Sequence, residues 1–400
     1  MLKMAIIQLK ENNKIKISGK IIMGGILVFS FSLSFFVVYS FGSIISFFNE
    51  TSLVVVGKDK TQPVLHIKTP EQVKAIYMTS WVAGTKNIRD GLIRLVDNTE
   101  LNSIIIDIKD YTGKIAFKVQ DENLEKHGAS INRVPDMEEF LEYLHSKDIY
   151  VIGRISVFQD PHFVQQRPDL AVKQEKDGEI WKDYKGISWL DAGAIEVWEY
   201  IIDLAQYSYD IGFDEINFDY IRFPSDGNMT QIYYPFSEER ILADVDFGKA
   251  KILREFFTYL DLKLSETDVV LSADLFGMVT TNADDLNIGQ ILEYALPSFD
   301  FIAPMVYPSH YPDNFIGYAN PASYPYEVVK YSMDKAVEKT KIAGFEPNKL
   351  RPWLQDFDLG ADYNAKEVRA QIQAVYDSGL NSWMLWSASN RYTISALLSN

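Results

Sequence analysis

Eight short apolar runs rich in β-branched residues alternate with amphipathic stretches over about 320 residues, and this alternation predicts an α/β fold, a (β/α)8 TIM barrel. The first strand-to-helix turn, Ser80-Trp81-Val82-Ala83-Gly84, lacks the G-x-G that opens a doubly wound sheet, which disfavours that rival. No internal repeat or low-complexity tract points to a solenoid or a disordered chain.

The elements follow in order. Residues 1–50 hold five lysines against two glutamates, a charge of +3, which leaves −19 for the rest of a chain whose formal charge is −16. Residues 1–20 therefore read as a basic cytoplasmic segment. Residues 21–48 contain no charged side chain and are long enough to cross a bilayer, so a transmembrane signal anchor is expected there. Cleavage as a signal peptide at Ser40-Phe41-Gly42 is the alternative, and either way the remainder faces outward. Residues 49–72 read as a polar linker, and 73–400 as one barrel domain. Strands are expected at 74–81, 102–110, 150–160, 214–223, 269–277, 300–309, 349–357 and 382–389. Helical spacing of apolar residues marks 88–96, 137–144, 195–208, 247–264, 288–296, 328–337 and 368–376.

Composition narrows the chemistry. The 400 residues include no cysteine, which excludes disulfides, zinc–thiolate and iron–sulfur sites and thiol catalysis. A surplus of acid argues against non-specific nucleic-acid binding. The histidines His66, His127, His145, His162 and His310 lack H-x3-H or H-E-x-x-H spacing, so no metal is expected. There is no G-x-S-x-G and no Gly-rich phosphate loop after the last strands. No cofactor is expected.

Chemistry on a barrel sits at the C-terminal ends of its strands. On the fourth strand Glu215, Asn217 and Asp219 share one face, which points inward because the alternate face is apolar. Arg154 and Lys109 are the expected partners of Glu215 and Asp107 in a polar core. Asp219 and Asp274 lie nearer the mouth on neighbouring strands, where two carboxyl groups can flank a glycosidic bond. Asp356 is a candidate third catalytic carboxylate; the alternative for any of these is a helix cap or a pair with Arg222 or Arg391. Asp107, Asp110, Asn217, Arg222, Tyr307, Trp353 and Trp386 are the candidate substrate-binding residues. Rim aromatics suit sugar rings, Trp386 above all, although about half of them are expected in the core.

The segments 103–117, 154–172, 181–191 and 212–227 resemble a bacterial family of glycosyl hydrolase-like domains long catalogued as a domain of unknown function. SADLFGM, FIAPMVYPSHY, RPWLQDF and SWMLWSASNRYT extend the resemblance in order over about 73–395. It implies a barrel with hydrolase-like architecture. The stretch 213–219 is also similar to the fourth-strand D-x-x-D-x-D-x-E of chitinases, but Asn217 replaces an acid and the catalytic glutamate falls at Ile221. That departure argues against substrate-assisted chitinase chemistry. Carboxylates on strands four, five and seven look instead like the α-amylase layout, which implies Asp219 as nucleophile and Asp274 as acid. Here an Asp replaces that superfamily's fifth-strand Glu, and Asn217 its Arg. The expectation is a membrane-anchored extracellular hydrolase of a cell-surface or matrix polysaccharide. A non-catalytic polysaccharide-binding barrel in envelope assembly is the alternative.

Overall fold

The computed structural model describes residues 64–400. The expected basic segment, membrane anchor and first part of the linker lie outside them. Within the described residues no helix is long and apolar enough to cross a membrane.

Eight parallel strands close a barrel in chain order: β1 (Lys74–Met78), β2 (Ser103–Lys109), β3 (Tyr150–Ser156), β4 (Glu215–Asp219), β5 (Val270–Phe276), β6 (Phe301–Met305), β7 (Trp353–Gln355) and β8 (Trp383–Trp386). Each falls inside a run expected from its β-branched and apolar content. Six long helices flank them: α1 (Lys86–Asp97), α2 (Met137–His145), α3 (Ile195–Asp210), α4 (Gly248–Leu264), α5 (Pro325–Ile342) and α6 (Ala365–Asp377). The architecture is that of a (β/α)8 TIM barrel. Between β5 and β6 the only α-helical segment is Leu292–Ala295, shorter than the expected 288–296, alongside a 3-10 turn at Gly277–Thr280. Gly289 at φ +83° bars an earlier start, and Pro297 follows directly after the last turn.

Two apolar layers hold the barrel together. Outward-facing Ile104, Ile106, Ile216, Phe218, Ala273 and Leu275 pack under the helices. A smaller inward cluster contains Ala75, Tyr77, Ile105, Tyr150, Ile152 and Trp353. This two-sided burial explains why the strands read as nearly continuous apolar runs. The seam between β6 and β7 is thin, with one Met305–Trp353 pair and an isolated Ile302–Leu350 bridge. Pro304 and Pro352 each lack an amide donor there.

The floor of the barrel is polar and paired. Glu215 accepts from Arg351 Nη1 at 2.9 and 3.0 Å and from Tyr150 Oη at 3.0 Å. At the opposite, C-terminal end of β2, Lys109 donates to Asp160 at 2.6 Å, both side chains being fully buried. Arg154 does pair with Asp107, but the expected roles of Lys109 and Glu215 are corrected. The β2–β3 register shifts between Asp107 and Lys109, which sends Lys109 to the Asp160 side. The vacated partnership of Glu215 falls to Arg351. Residues 64–72 carry no helix or strand and meet the barrel at its Glu215 end. Ile67 N–H donates to Asp214 at 2.7 Å, and Thr69 Oγ1 lies 3.0 Å from Tyr150 Oη.

The loops after β3 and β4 add an unexpected two-stranded antiparallel sheet, Lys173–Gln174 against Ile232–Tyr233. It ties together the two longest excursions at the barrel mouth.

Candidate active site

The β4–β5 ladder ends with Phe218 opposite Ala273, so the next residues, Asp219 and Asp274, emerge side by side at the C-terminal end. Tyr220, which follows, has φ 53°, a left-handed backbone uncommon for a bulky residue. That turn directs its amide N–H back onto Asp219 Oδ1 at 2.6 Å. Backbone strain held at such a place is common near functional groups.

Arg154, on β3, sits between the carboxylates. Its Nη1 donates to Asp107 Oδ1 at 2.7 Å, and its Nε to Asp219 Oδ2 at 3.1 Å. Nη2 also donates to Asp219 Oδ2. Asp274 Oδ2 stands 3.9 Å from the same Nε. The legs of 3.1 and 3.9 Å place the two Oδ2 atoms within about 7 Å of each other. Tyr77 Oη donates to Asp107 Oδ2 at 2.6 Å and so fixes the far side of the cluster.

Asp274 is held from behind. Its Oδ1 accepts from Trp353 Nε1 at 2.7 Å and Asn217 Nδ2 at 3.0 Å, which leaves Oδ2 as the place for a proton. Burial, and then the negative charge of Asp219, push the Asp274 carboxyl up to about 8, against the pull of Arg154. Asp107 is raised as well, chiefly by burial.

A cavity of about 520 Å³ opens above the pair. Asp219, Asp274, Arg154, Trp386, Tyr307 and Arg222 all line it. The Trp386 ring stacks on Tyr77 at 4.1 Å and meets Trp353 edge-on at 5.5 Å, so its orientation is set from two sides. Burial raises the Tyr307 hydroxyl and lowers the His310 imidazole, another lining group. Gly277 is required here: a Cβ would collide with the Met305 carbonyl oxygen. Among the described residues no group of three or more His, Asp or Glu is placed to hold a metal ion.

The structure thus brings together Asp219, Asp274, Arg222, Tyr307 and Trp386 around one cavity. Asn217, Trp353 and Asp107 are buried behind it and position the carboxylates and Arg154. Two candidates lie elsewhere. Asp356 accepts from Thr393 N–H at 2.9 Å and Oγ1 at 2.7 Å, which spends both of its oxygens on the loop after β8. Asp110 pairs with Arg133 at 2.6 Å and accepts from Thr112 N–H at 3.0 Å within its own turn. Neither lines the cavity. Among the rim aromatics Trp181, Trp189 and Tyr234 are buried, while Trp81, Tyr111 and Tyr233 are exposed. Sequence reasoning missed Lys185 and Asp226, which reach the cavity from the long loops. Their only signal was membership of the segments 181–191 and 212–227. It also missed Tyr77, whose inward place on β1 follows from strand alternation.

A solved structure of a hypothetical protein from Ruminiclostridium thermocellum ATCC 27405 is 32% identical, with 50% of this chain and 96% of that one covered and a TM-score of 0.44. The PgaB (BpsB) glycoside hydrolase domain from Bordetella bronchiseptica is 15% identical, with 80% and 94% covered and a TM-score of 0.58. At that identity the likeness bears on the fold alone. A class V chitinase from Pseudomonas fluorescens Pf-5 is 11% identical, with 81% and 98% covered and a TM-score of 0.49. No curated protein sequence matches the chain. Residues 75–392 match the family model described as "Putative glycosyl hydrolase domain", and the chain belongs to that family.

Proposed function

We propose that this protein hydrolyses glycosidic bonds of a polysaccharide, with Asp274 as general acid and Asp219 as its ionised partner. The observation that carries the reading is a carboxyl group pushed up to about 8 beside a second carboxylate, on adjacent strands and lining one cavity. Glycoside hydrolysis needs this division of labour. One carboxyl stays protonated near neutral pH to assist departure of the leaving oxygen, and the other acts as nucleophile or activates water. The Arg154 contacts to Asp219 set that carboxylate's orientation. Trp386 lines the same cavity with an aromatic ring, suited to the C–H face of a sugar. No step calls for a metal or a redox cofactor.

One observation favours a second reading, a non-catalytic polysaccharide-binding barrel. Asp219 Oδ2 already accepts twice from Arg154 and Oδ1 once from the Tyr220 amide, so most of its acceptor capacity is engaged. Reducing-end release from a panel of cell-surface and matrix polysaccharides by the full-length chain separates the two. Hydrolysis that D219N and D274N each lower by about 10³-fold or more supports the enzyme, in line with loss of a preorganised catalytic group. Binding without release supports the module.

The reading extends to place. The uncharged run at 21–48, preceded by lysines, supports a single-pass anchor with the barrel outside the cell, or secretion if that run is cleaved. Either arrangement suits a polymeric substrate at the cell surface.

A further inference from the structure

Four arginines among the described residues are buried: Arg89, Arg154, Arg222 and Arg351. Three of them have carboxylate partners. Arg89 meets Asp136, Arg154 meets Asp107 and Asp219, and Arg351 meets Glu215. Arg222, only 7% exposed, has none. Its Nη1 donates to Phe223 O at 3.0 Å and Ser225 Oγ at 3.1 Å, both neutral acceptors. Asp226, Asp219 and Asp183 act on it only from beyond ion-pair distance. No protein acceptor meets its Nε or Nη2 among the described residues, and neither atom is among the sealed, unpartnered polar atoms, so both stay open to the cavity that Arg222 lines.

The surroundings hold the guanidinium in place without neutralising it. The rings of Trp189 and Phe276 lie 4.8 Å from its central carbon, and Tyr220 lies at 5.5 Å. Aromatic faces attract a guanidinium and fix its plane, but its N–H donors stay directed outward in that plane. Burial pulls the Arg222 guanidinium below its ordinary range, outweighing the opposing pull of Tyr220, Asp226, Asp219 and Asp183. A buried charge of this kind is costly unless a counter-charge reaches it.

Arg222 lines the cavity above Asp219 and Asp274, and Lys185 lines the same cavity. We propose that Arg222, assisted by Lys185, receives an anionic substituent of the bound saccharide, a uronic-acid carboxylate or a sulfate or phosphate ester. A planar, pre-oriented guanidinium suits such a group because two parallel N–H donors match two of its oxygens. The chain as a whole carries −16, so this site is a local exception rather than a reflection of overall charge. The inference rests on the saccharide reading of the cavity and adds the charge class of its ligand.

The test uses calorimetric titration of the full-length chain at fixed ionic strength. The probes are oligosaccharides of polygalacturonate, hyaluronan, a sulfated galactan and a phosphorylated mannan, each against its carboxyl-reduced, desulfated or dephosphorylated counterpart. At least one anionic probe is expected to bind about ten- to a hundredfold tighter than its neutral counterpart, the range for hydrogen bonds to a charged group. R222Q is expected to remove that preference, and R222K to keep part of it through its charge. Whichever class shows the preference identifies the source of the anion. The wild-type comparison and R222K keep the test decisive if R222Q fails to fold. Equal binding of charged and neutral probes, no binding of any anionic probe, or an R222Q variant with its preference intact overturns the proposal. Reducing-end release, followed in the same samples, tells the two readings apart. Preference without hydrolysis sinks only the enzyme reading, and hydrolysis indifferent to charge sinks only this one.

Discussion

Replacing Asp219 with Asn removes the negative charge that helps to keep Asp274 protonated, while the indole of Trp353 stays bonded to Asp274 Oδ1 as a reporter. The two Oδ2 atoms are within about 7 Å, and at an effective dielectric of 20 a unit charge at that distance contributes about 2 kcal/mol, or 1–2 pH units. Arg154, released from Asp219, acts on Asp274 in the same direction. The Asp274 titration, near 8 in the wild type, is therefore expected to move down by at least about 1 pH unit in D219N. The assay is a pH series of indole 15N–1H spectra, with the Trp353 resonance assigned by its loss in W353F. If Asp274 is the general acid, the same ionisation is expected to set the alkaline limb of hydrolysis in the wild type. About nine-tenths of Asp274 is protonated at pH 7 and about one-tenth at pH 9, so the rate falls roughly tenfold between them. A Trp353 indole that does not titrate between pH 6 and 9 refutes the reasoning. So does a midpoint that stays or rises in D219N.

Two further outcomes follow from the polar floor and the rim. R351M leaves Glu215 buried opposite only Tyr150, and chemical denaturation is expected to show a loss of about 3–5 kcal/mol. D356N weakens the two Thr393 bonds by about 1–2 kcal/mol, read as a lower Tm, and leaves hydrolysis within about twofold of wild type. A large loss of activity in D356N would restore that residue to the catalytic set.

The strands were legible because each must bury both faces, and such runs of Ile, Val and Phe stand out between amphipathic helices. Asp219 and Asp274 were legible for a related reason. Acidic residues at the ends of otherwise apolar strands have few places to go but the mouth. Partners were harder to read. Arg351 lies just before a strand of three residues between Pro352 and the loop, so nothing local marks it as the ion partner of Glu215 on the far side of the barrel. Lys109 was misplaced because one register shift after Asp107 turns it to the other side, and such a shift leaves no trace in residue alternation. Asp356 shares the rim position of Asp274 in sequence terms. What separates them is Thr393, 37 residues further on, which occupies the Asp356 oxygens. Lys185 and Asp226 reach the cavity from two long loops that a two-residue strand pairing ties together. Pairings that short carry no periodic signal.

The most direct test of the central claim compares D274A and D219A on two substrates of the saccharide that the polysaccharide panel identifies. One is the natural polymer, whose leaving oxygen needs a proton, and the other a dinitrophenyl glycoside, whose leaving group does not. If Asp274 is the acid, D274A loses the polymer by about 10²–10⁴-fold, the usual worth of general acid catalysis, and retains most cleavage of the aryl glycoside. D219A is then expected to lose both. Equal losses on the two substrates in D274A, or full polymer hydrolysis in either variant, would contradict the assignment of this carboxylate pair.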